Sequence, residues 1–230
     1  MLIAQMVVRN ESSRHLTRVL DDLSSYVDKI VITDDCSTDD TVAICKKYTK
    51  HVFELSESLF AVHEGQLRQL ALDNLGKVAN KNDWILAIDA DEILWSTKEP
   101  LKKLLNNIRW DVMGLEFINM WDEENYRIDG TWAPHKCTKL YRFRRDGKIK
   151  DRVLACGSEP TYVEEAIRKN RILWDSGLKI QHLGYLRDED KMAKYQRYME
   201  IDGGKFHNPK HLKSILDKKV KLEKWDFERL

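Results

Sequence analysis

The sequence of 230 residues predicts an α/β protein in which a mixed, mostly parallel sheet is flanked by helices and followed by a C-terminal helical extension. Short β-branched segments alternate with amphipathic helical patterns through residues 1–115, which is typical of βαβ units. Hydrophobic residues make up 42% of the chain, enough for a sizeable core at this length. Seven tryptophans, eight tyrosines and only four prolines disfavour a disordered chain.

The first half contains four predicted strands, which are apolar runs of strand length at residues 3–8, 27–33, 51–55 and 84–88. Apolar residues at helical spacing predict a helix after each strand. In the first helix they are Leu16, Val19, Leu20 and Leu23, and the later helices contain residues 42–48, 67–71 and 101–108.

From residue 112 onward the pattern changes. Strands are expected at residues 112–120, 139–144 and 178–182, and Asp146-Gly147 is a hairpin signal. Two charged helices are expected at 187–202 and 210–226. We therefore divide the chain into residues 1–115, residues 116–186 of the same domain, and a helical extension at 187–230.

The charge of the chain is balanced overall but segregated along it. With 39 basic and 38 acidic residues the net charge is +1, which disfavours a uniformly basic nucleic-acid binder. Residues 1–115 hold 14 basic and 18 acidic residues, whereas residues 116–230 hold 25 and 20. The basic run at 136–152 is interpreted as the solvated face of a hairpin, with attraction of an anionic acceptor as the alternative.

Two acidic clusters follow predicted strands. Asp34 and Asp35 come after the second strand, and Asp89, Asp91 and Glu92 come after the fourth. Ligands of open α/β sheets bind beyond the carboxyl ends of the strands. Close carboxylates repel each other unless a cation lies between them, so the second cluster predicts a Mg²⁺ or Mn²⁺ site completed by a diphosphate. Solvated loop carboxylates are the alternative, and for the first cluster a strand end followed by a helix cap.

Four segments, in this order and spacing, resemble the nucleotide-sugar-binding half of a family 2 glycosyltransferase with the GT-A fold: VVRNESSRHL, VDKIVITDDCSTDDT, HEGQLRQLALDNL and WILAIDADEI. The resemblance implies a Rossmann-like sheet of the GT-A type. It also implies a metal-dependent, inverting transfer from a nucleoside-diphosphate sugar, UDP-linked, to a hydroxyl acceptor that is a saccharide or is lipid-linked. Synthesis of a cell-surface polysaccharide or glycolipid would use such a reaction.

The resemblance also implies roles for residues of the first half. The donor-binding residues would be Val8, Arg9, Asn10, Asp34 or Asp35, Arg68 and Asp89. Asp34 or Asp35 would contact the uracil or ribose, and Arg68 the donor or its diphosphate. Asp91 would be the direct ligand of the divalent cation. Gln69 stands where an Asn often follows the Arg.

In the second half, LACGSEPTYV followed by KIQHLGYL is similar to a pairing in one bacterial branch of the family, with Ser158 where that branch often has His. By this resemblance Glu159 is the general base and His182 a further metal ligand or diphosphate contact. A base is needed because the acceptor hydroxyl must lose its proton as it attacks the anomeric carbon. The alternative bases are Asp175, Glu116 and Asp122. Trp121 and Trp132 are expected in the core, with a sugar-stacking wall as the alternative.

Other classes fit the sequence less well. No GxGxxG follows a predicted strand, and the loop after the first strand has no glycine, which argues against a dinucleotide oxidoreductase and a sugar-phosphate nucleotidyltransferase. An aspartate-nucleophile phosphatase has the pattern DxDx[TV], whereas here Glu92 and Ile93 follow Asp91, which argues against that class. A non-catalytic sugar-nucleotide-binding or scaffold protein of the same fold remains the alternative function.

The expected location is the cytoplasm, with peripheral attachment to the inner face of the membrane as an option. The four cysteines form no CxxC pair, which predicts reduced thiols. The N-terminal apolar run lacks the pattern of a signal peptide, and no stretch approaches the ~18–20 apolar residues of a transmembrane helix. The C-terminal helices are expected to pack on the domain or to form a homodimer contact.

Overall fold

A computed structural model describes residues 1–150, 159–202 and 209–230 of the chain. The strands are β1 (Leu2–Val8), β2 (Lys29–Asp34), β3 (Val52–Glu54), β4 (Trp84–Ala87), β5 (Glu92–Leu94), β6 (Val112–Asn119), β7 (Asn125–Arg127), β8 (His135–Arg142), β9 (Ile172–Leu173), β10 (Lys179–His182) and β11 (Leu222–Lys224). The helices are α1 (Leu16–Ser24), α2 (Thr41–Tyr48), α3 (Phe60–Gly76), α4 (Lys98–Leu105), α5 (Thr161–Arg168), α6 (Asp188–Asp202) and α7 (Pro209–Ser214), with a 3-10 turn at Gly130–Trp132.

One large sheet runs through the molecule in the order β3-β2-β1-β4-β8-β6-β10-β5, and β9 pairs with β6. The strands β3, β2, β1 and β4 are parallel, β8 is antiparallel to both of its neighbours, and β10 is parallel to β6. This confirms the predicted α/β class with a mixed, mostly parallel sheet. Strand β6 runs through residue 115, so both halves of the chain share one sheet.

The core lies on both faces of this sheet because successive strand side chains point in opposite directions. In β4, Leu86 packs with Leu20 of α1 on one face, while Ile85 packs with Leu75 of α3 on the other. The periodicity of α1 is confirmed, since its four predicted apolar residues are fully buried. The helices therefore cover the sheet on two sides and leave the carboxyl ends of its parallel strands free for a site.

The predicted helix at 210–226 is wrong. Helix α7 ends at Ser214, and residues 222–224 form β11, which pairs antiparallel with β7. The buried guanidinium of Arg127 donates to the carbonyl oxygen of Ser214 at 2.6 Å and to Asp217 at 3.0 Å. The last carbonyl groups of a helix have no partner within it, so Arg127 stabilises the end of α7 by binding the Ser214 carbonyl.

The predicted hairpin at Asp146-Gly147 is also wrong. Strand β8 ends at Arg142, and residues 143–150 form no strand. A side chain at residue 147 would collide with the ring of Tyr162 in α5. The glycine is therefore needed for close packing against a helix and not for a tight turn between strands.

The described residues contain three free cysteines, Cys36, Cys45 and Cys137, while Cys156 lies outside the described ranges. None of the helices formed by the described residues combines the length and the apolar character that crossing a bilayer requires.

Candidate active site

A cleft of about 790 Å³ opens at the carboxyl ends of β1 and β4, and its volume falls within the range of small-molecule sites. The predicted site residues that line it are Val8, Arg9, Asn10, Asp35, Arg68, Asp89, Asp91, Glu159 and His182. Asp34 does not line it. Its carboxylate accepts hydrogen bonds from the backbone N–H (2.9 Å) and the hydroxyl of Ser37, so Asp34 shapes the turn after β2.

Asp35 is the acid of the first cluster that reaches the cleft. Its side chain is almost completely buried and accepts hydrogen bonds from the Ser58 hydroxyl (2.7 Å) and from the backbone N–H groups of Leu59 (2.7 Å) and Phe60 (3.2 Å). Arg9 lies 3.8 Å away and also donates to Ser58. These three hydrogen bonds leave Asp35 acceptor capacity, since a carboxylate has about four lone-pair positions.

Asn10 joins the loops that follow β1 and β2. It adopts a positive φ of 52°, a conformation that Asn tolerates better than most residues. Its backbone N–H donates to the Ser37 hydroxyl at 3.0 Å, and its side-chain oxygen accepts from the Thr38 backbone N–H at 2.8 Å. The wall of the cleft at this end is thus a hydrogen-bonded pair of loops.

Asp89 is held between two cations. Lys139 lies 3.0 Å from one of its oxygens, and Arg68 lies 3.5 Å from the other. Burial favours the neutral carboxyl, but the charges of Lys139 and Arg68 outweigh it and hold the pKa of Asp89 well below its ordinary value. Asp89 is therefore an anion in the cleft at neutral pH.

Lys139 also binds Glu92, with both carboxylate oxygens 2.6 Å from its ammonium. Burial raises the pKa of Glu92 to about 7, although Lys139 opposes the shift. The interpretation of residues 136–152 as a solvated hairpin face is wrong for this residue, because β8 is a central strand between β4 and β6. The next two side chains, Leu140 and Tyr141, are buried in the core clusters on opposite faces of the sheet.

Asp91 and His182 converge on a second cation, the ammonium of Lys194 in α6. The Nζ atom lies 3.2 Å from Asp91 Oδ2 and 3.0 Å from His182 Nε2, and these two acceptors are 3.3 Å apart. Burial would raise the pKa of Asp91, but the charge of Lys194 outweighs it and the pKa lies well below its ordinary value. Asp89 thus pairs with Lys139 and Arg68, whereas Asp91 pairs with Lys194, and the two carboxylates share no cation. Separate cations relieve the repulsion between the two negative charges.

His182 is oriented by Asn119 of β6. The side-chain oxygen of Asn119 lies 2.7 Å from Nδ1 of the imidazole, which places the ring proton there and leaves Nε2 as the acceptor in the neutral ring. Burial, followed by the charge of Lys194, lowers the pKa of His182 and favours this neutral form. A neutral imidazole whose far nitrogen is hydrogen-bonded is the usual form of a metal ligand.

The residues Asp91 and His182 fit a divalent cation, because a carboxylate oxygen and an imidazole nitrogen already face one positive charge. Within the described ranges, no group of three or more His, Cys, Asp or Glu side chains is placed to hold a metal. The described protein residues would therefore supply two ligands, and the remaining positions would fall to oxygen atoms of a bound molecule or water.

Glu159 lies in the cleft and is oriented by β8, since the Thr138 hydroxyl donates to it at 2.7 Å. The three alternative bases lie elsewhere. Asp175 is exposed beside Lys136, Glu116 pairs with Lys179, and Asp122 accepts hydrogen bonds within its own turn. Of the four candidates, Glu159 is the one that faces the cleft.

Trp121 and Trp132 form part of the core, as expected, and not an exposed sugar-stacking wall. Both are buried and pack with Tyr185, Leu212 and Ile215. The guanidinium of Arg127 lies over both indole rings, at 4.6 and 5.1 Å from their centroids.

Sequence reasoning missed Lys139, Lys194 and Glu11 as residues of the cleft. Burial raises the pKa of Glu11 to about 7, against the charge of Arg14, which binds its carboxylate at 2.9 and 3.1 Å. A lysine within a basic run and a lysine on a charged helix carry no local signal of their contacts. Glu11 does lie within VVRNESSRHL, so its position beside the pocket was visible in the sequence, although its burial was not.

Comparison with known proteins supplies a family for this architecture. The model of Glycosyl transferase family 2 matches residues 5–158, about two thirds of the chain. An uncharacterized glycosyltransferase of Rickettsia conorii is 29% identical over 143 residues, which are 60% of this chain and 46% of the relative. An uncharacterized protein of Mycobacterium tuberculosis is 24% identical over 216 residues, 88% of this chain and 51% of the relative. The chain spans about half the length of the curated relatives it matches.

Two solved structures share the fold at low sequence identity. The mannosyltransferase PcManGT from Pyrobaculum calidifontis, in complex with GDP-Man and Mn²⁺, superposes with a TM-score of 0.55 at 16% identity, covering 96% of this chain and 65% of that one. Residues 1–349 of TarS from S. aureus, in complex with UDP, give a TM-score of 0.54 at 19% identity, covering 94% and 69%.

Proposed function

Because the chain belongs to Glycosyl transferase family 2, we propose that it transfers a sugar from a nucleoside-diphosphate sugar to a hydroxyl acceptor. The observation that carries the proposal is one cleft with three parts. They are the buried carboxylate of Asp35, a cation position at Asp91 and His182, and the carboxylate of Glu159, which faces the cleft. These three parts match a nucleotide sugar and its acceptor: an acceptor of hydrogen bonds for the base or ribose, a cation for the diphosphate, and a proton acceptor near the anomeric carbon.

The donor would lie along the carboxyl ends of β2, β1 and β4. Asp35 has acceptor capacity for an N–H of the base or a ribose hydroxyl, and a uracil N3–H suits an acceptor of this kind. Arg68 of α3 lies beside Asp89 in the cleft, where it can reach a diphosphate. We therefore propose a UDP-linked donor with Asp35, and not Asp34, as the base or ribose contact.

The transfer step would be a single displacement. As the acceptor oxygen bonds to the anomeric carbon, its proton passes to Glu159, and the bond from that carbon to the diphosphate oxygen breaks. Displacement from the opposite face inverts the anomeric centre. Asp91 and His182 would hold a Mn²⁺ or Mg²⁺ ion, whose chemistry is to neutralise the charge that grows on the leaving diphosphate.

The proposal is tested by incubating the chain with a panel of nucleotide sugars and a simple hydroxyl acceptor, with Mn²⁺ or with EDTA, and measuring the nucleotide released. Asp91→Asn should weaken both Mn²⁺ and donor binding. Donor binding without turnover on any acceptor would favour the non-catalytic alternative. If no nucleotide sugar binds or turns over, the proposal fails.

Glu159 has its own test. Glu159→Gln should lower kcat by about 10²–10⁴-fold and leave the donor Kd unchanged, because it removes the proton acceptor and no predicted donor contact. Asp175→Asn is the matched control, since Asp175 is an alternative base that lies exposed outside the cleft. Equal turnover by wild type and Glu159→Gln would assign the base to another residue.

A further inference from the structure

The ammonium of Lys194 occupies the position at which Asp91 and His182 would hold a metal. It donates to both residues, at 3.2 and 3.0 Å, and its side chain is 8% exposed. Gly184 leaves room for the three groups to meet, because a Cβ at this position would lie 2.8 Å from His182 Nε2 and closer still to Asp91 and Lys194. The contact is therefore an enclosed one, between the loop after β4 and the consecutive elements β10 and α6.

Lys194 and a metal ion cannot both bind His182. The Nε2 atom of a neutral imidazole has a single lone pair, which accepts the Lys194 N–H in this arrangement. A metal bound to the same nitrogen must take that lone pair, and its positive charge would repel the ammonium at close range. Metal binding thus requires Lys194 to leave.

A displaced Lys194 would need another anion nearby, because a buried ammonium without a partner is unfavourable. The neighbouring Glu11 already pairs with Arg14, and Asp89 already pairs with Lys139 and Arg68. The diphosphate of an incoming donor is the anion that arrives together with the metal. An ammonium on a flexible stem can follow it over a short distance.

We propose that Lys194 and a divalent cation are alternative occupants of the Asp91 and His182 pair, and that metal binding transfers the Lys194 ammonium to the donor diphosphate. The first claim, that Lys194 competes with the metal, concerns the donor-free protein alone. The second claim, that Lys194 then binds the diphosphate, rests on the proposed function. Lys194 is thereby assigned as a diphosphate-binding residue of α6. Its ammonium neutralises the Asp91 carboxylate until the metal replaces it.

The competition between Lys194 and the metal is tested by titrating the full chain with Mn²⁺ alone and following the free ion by electron paramagnetic resonance. Lys194→Met should bind Mn²⁺ about tenfold more tightly than wild type, because no ammonium competes for Asp91 and His182. Lys194→Arg should bind no more tightly than wild type. Adding Asp91→Asn to Lys194→Met should abolish the gain, which shows that the ion binds at this pair.

Lys191→Met is the matched control. Lys191 lies on the same helix, but its ammonium contacts the Trp121 carbonyl and Asp188, so its removal should leave Mn²⁺ affinity unchanged. Lys194→Leu provides a second neutral variant, also without an N–H donor, if the Met variant does not fold, and it should show the same gain. An unchanged Mn²⁺ affinity in the folded neutral variants would overturn the competition.

The binding of Lys194 to the diphosphate is tested by calorimetric titration with UDP at saturating Mn²⁺. Lys194→Met should weaken UDP binding about tenfold, since a charged contact to the diphosphate is lost. Equal UDP affinity in wild type and variant would overturn the transfer to the diphosphate. If wild type binds no nucleotide at all, the proposed function fails. The Mn²⁺ titration still decides whether Lys194 competes with the metal.

Discussion

Gly184→Ala should separate the function of this cleft from the stability of its fold. Gly184 follows β10 and faces Asp91, Lys194 and His182. A Cβ placed there would lie 2.8 Å from His182 Nε2, whereas ordinary contacts begin at 3.4 Å. The other two polar atoms lie closer still, so all three must retreat.

The cost to the fold is expected to be small. The colliding atoms of Asp91 and Lys194 are side-chain ends that can move by about 1 Å without disturbing the sheet. Opening their contact from 3.2 Å by that amount weakens the attraction by about 1 kcal/mol at an effective dielectric constant of about 20. We therefore expect a free energy of unfolding lower by about 1 kcal/mol.

The cost to function should be larger, because a displacement of about 1 Å in a site that positions reacting groups can cost ~10²-fold in rate. The assay measures kcat/KM for nucleotide release, Mn²⁺ affinity without donor, and urea unfolding on the same preparation. Gly76→Ala is the matched control, since its Cβ would meet only Phe143, at an ordinary 3.7 Å.

Wild-type turnover together with wild-type Mn²⁺ affinity in Gly184→Ala would contradict this prediction. A loss of several kcal/mol in stability would also contradict it, since that would mean that the three groups cannot retreat independently of the fold. A parallel loss of activity in Gly76→Ala would show that the assay reports a general effect of the added methyl group.

Three further predictions concern the rest of the molecule. Arg127→Lys should lower the free energy of unfolding in urea by about 2 kcal/mol, because it loses the paired hydrogen bonds to Asp129 at 2.7 and 2.9 Å; an unchanged midpoint would contradict this. Burial raises the pKa of Glu11 from 4.5 to about 7, so the folded state binds this proton more tightly than the unfolded chain and wild-type stability falls as the pH rises through that interval. The stability of Glu11→Gln relative to wild type should therefore rise by up to about 3 kcal/mol between pH 4.5 and pH 8 in urea titrations, and a constant difference would refute the assignment. Leu20→Ala should cost about 2–5 kcal/mol in thermal unfolding because Leu20 is fully buried, whereas Leu70→Ala, at a position 39% exposed, should cost far less; equal costs would contradict the packing described.

Elements with a local signal could be predicted from the amino-acid sequence alone. The spacing of the apolar residues in α1 and the apolar run of β4 depend only on neighbours along the chain, and both form where they are predicted. The acids at the ends of β2 and β4 are likewise read directly, because a parallel sheet exposes the carboxyl ends of its strands at one edge. The order of four segments was enough to indicate the family.

Errors in the sequence interpretation occurred where pairing between distant segments decided the outcome. Residues 210–226 have a helical pattern, yet β11 pairs with β7, nearly 100 residues earlier, and the buried Arg127 binds the end of α7. Periodicity reports which face of an element is apolar, but it does not report which partner covers that face.

The electrostatics of the cleft depends on contacts between segments that are distant in the sequence. Lys139 meets Asp89 because β8 enters the sheet antiparallel beside β4, and Lys194 meets Asp91 across 103 residues because α6 packs over the cleft. The sequence thus specified the carboxylates, which lie at strand ends for local reasons. Which cations pair with them, Lys139 and Lys194, depends on the fold. The positive charge that lowers the pKa of a buried carboxyl must lie within a few ångströms, and it can come from any segment of the chain that the fold brings there.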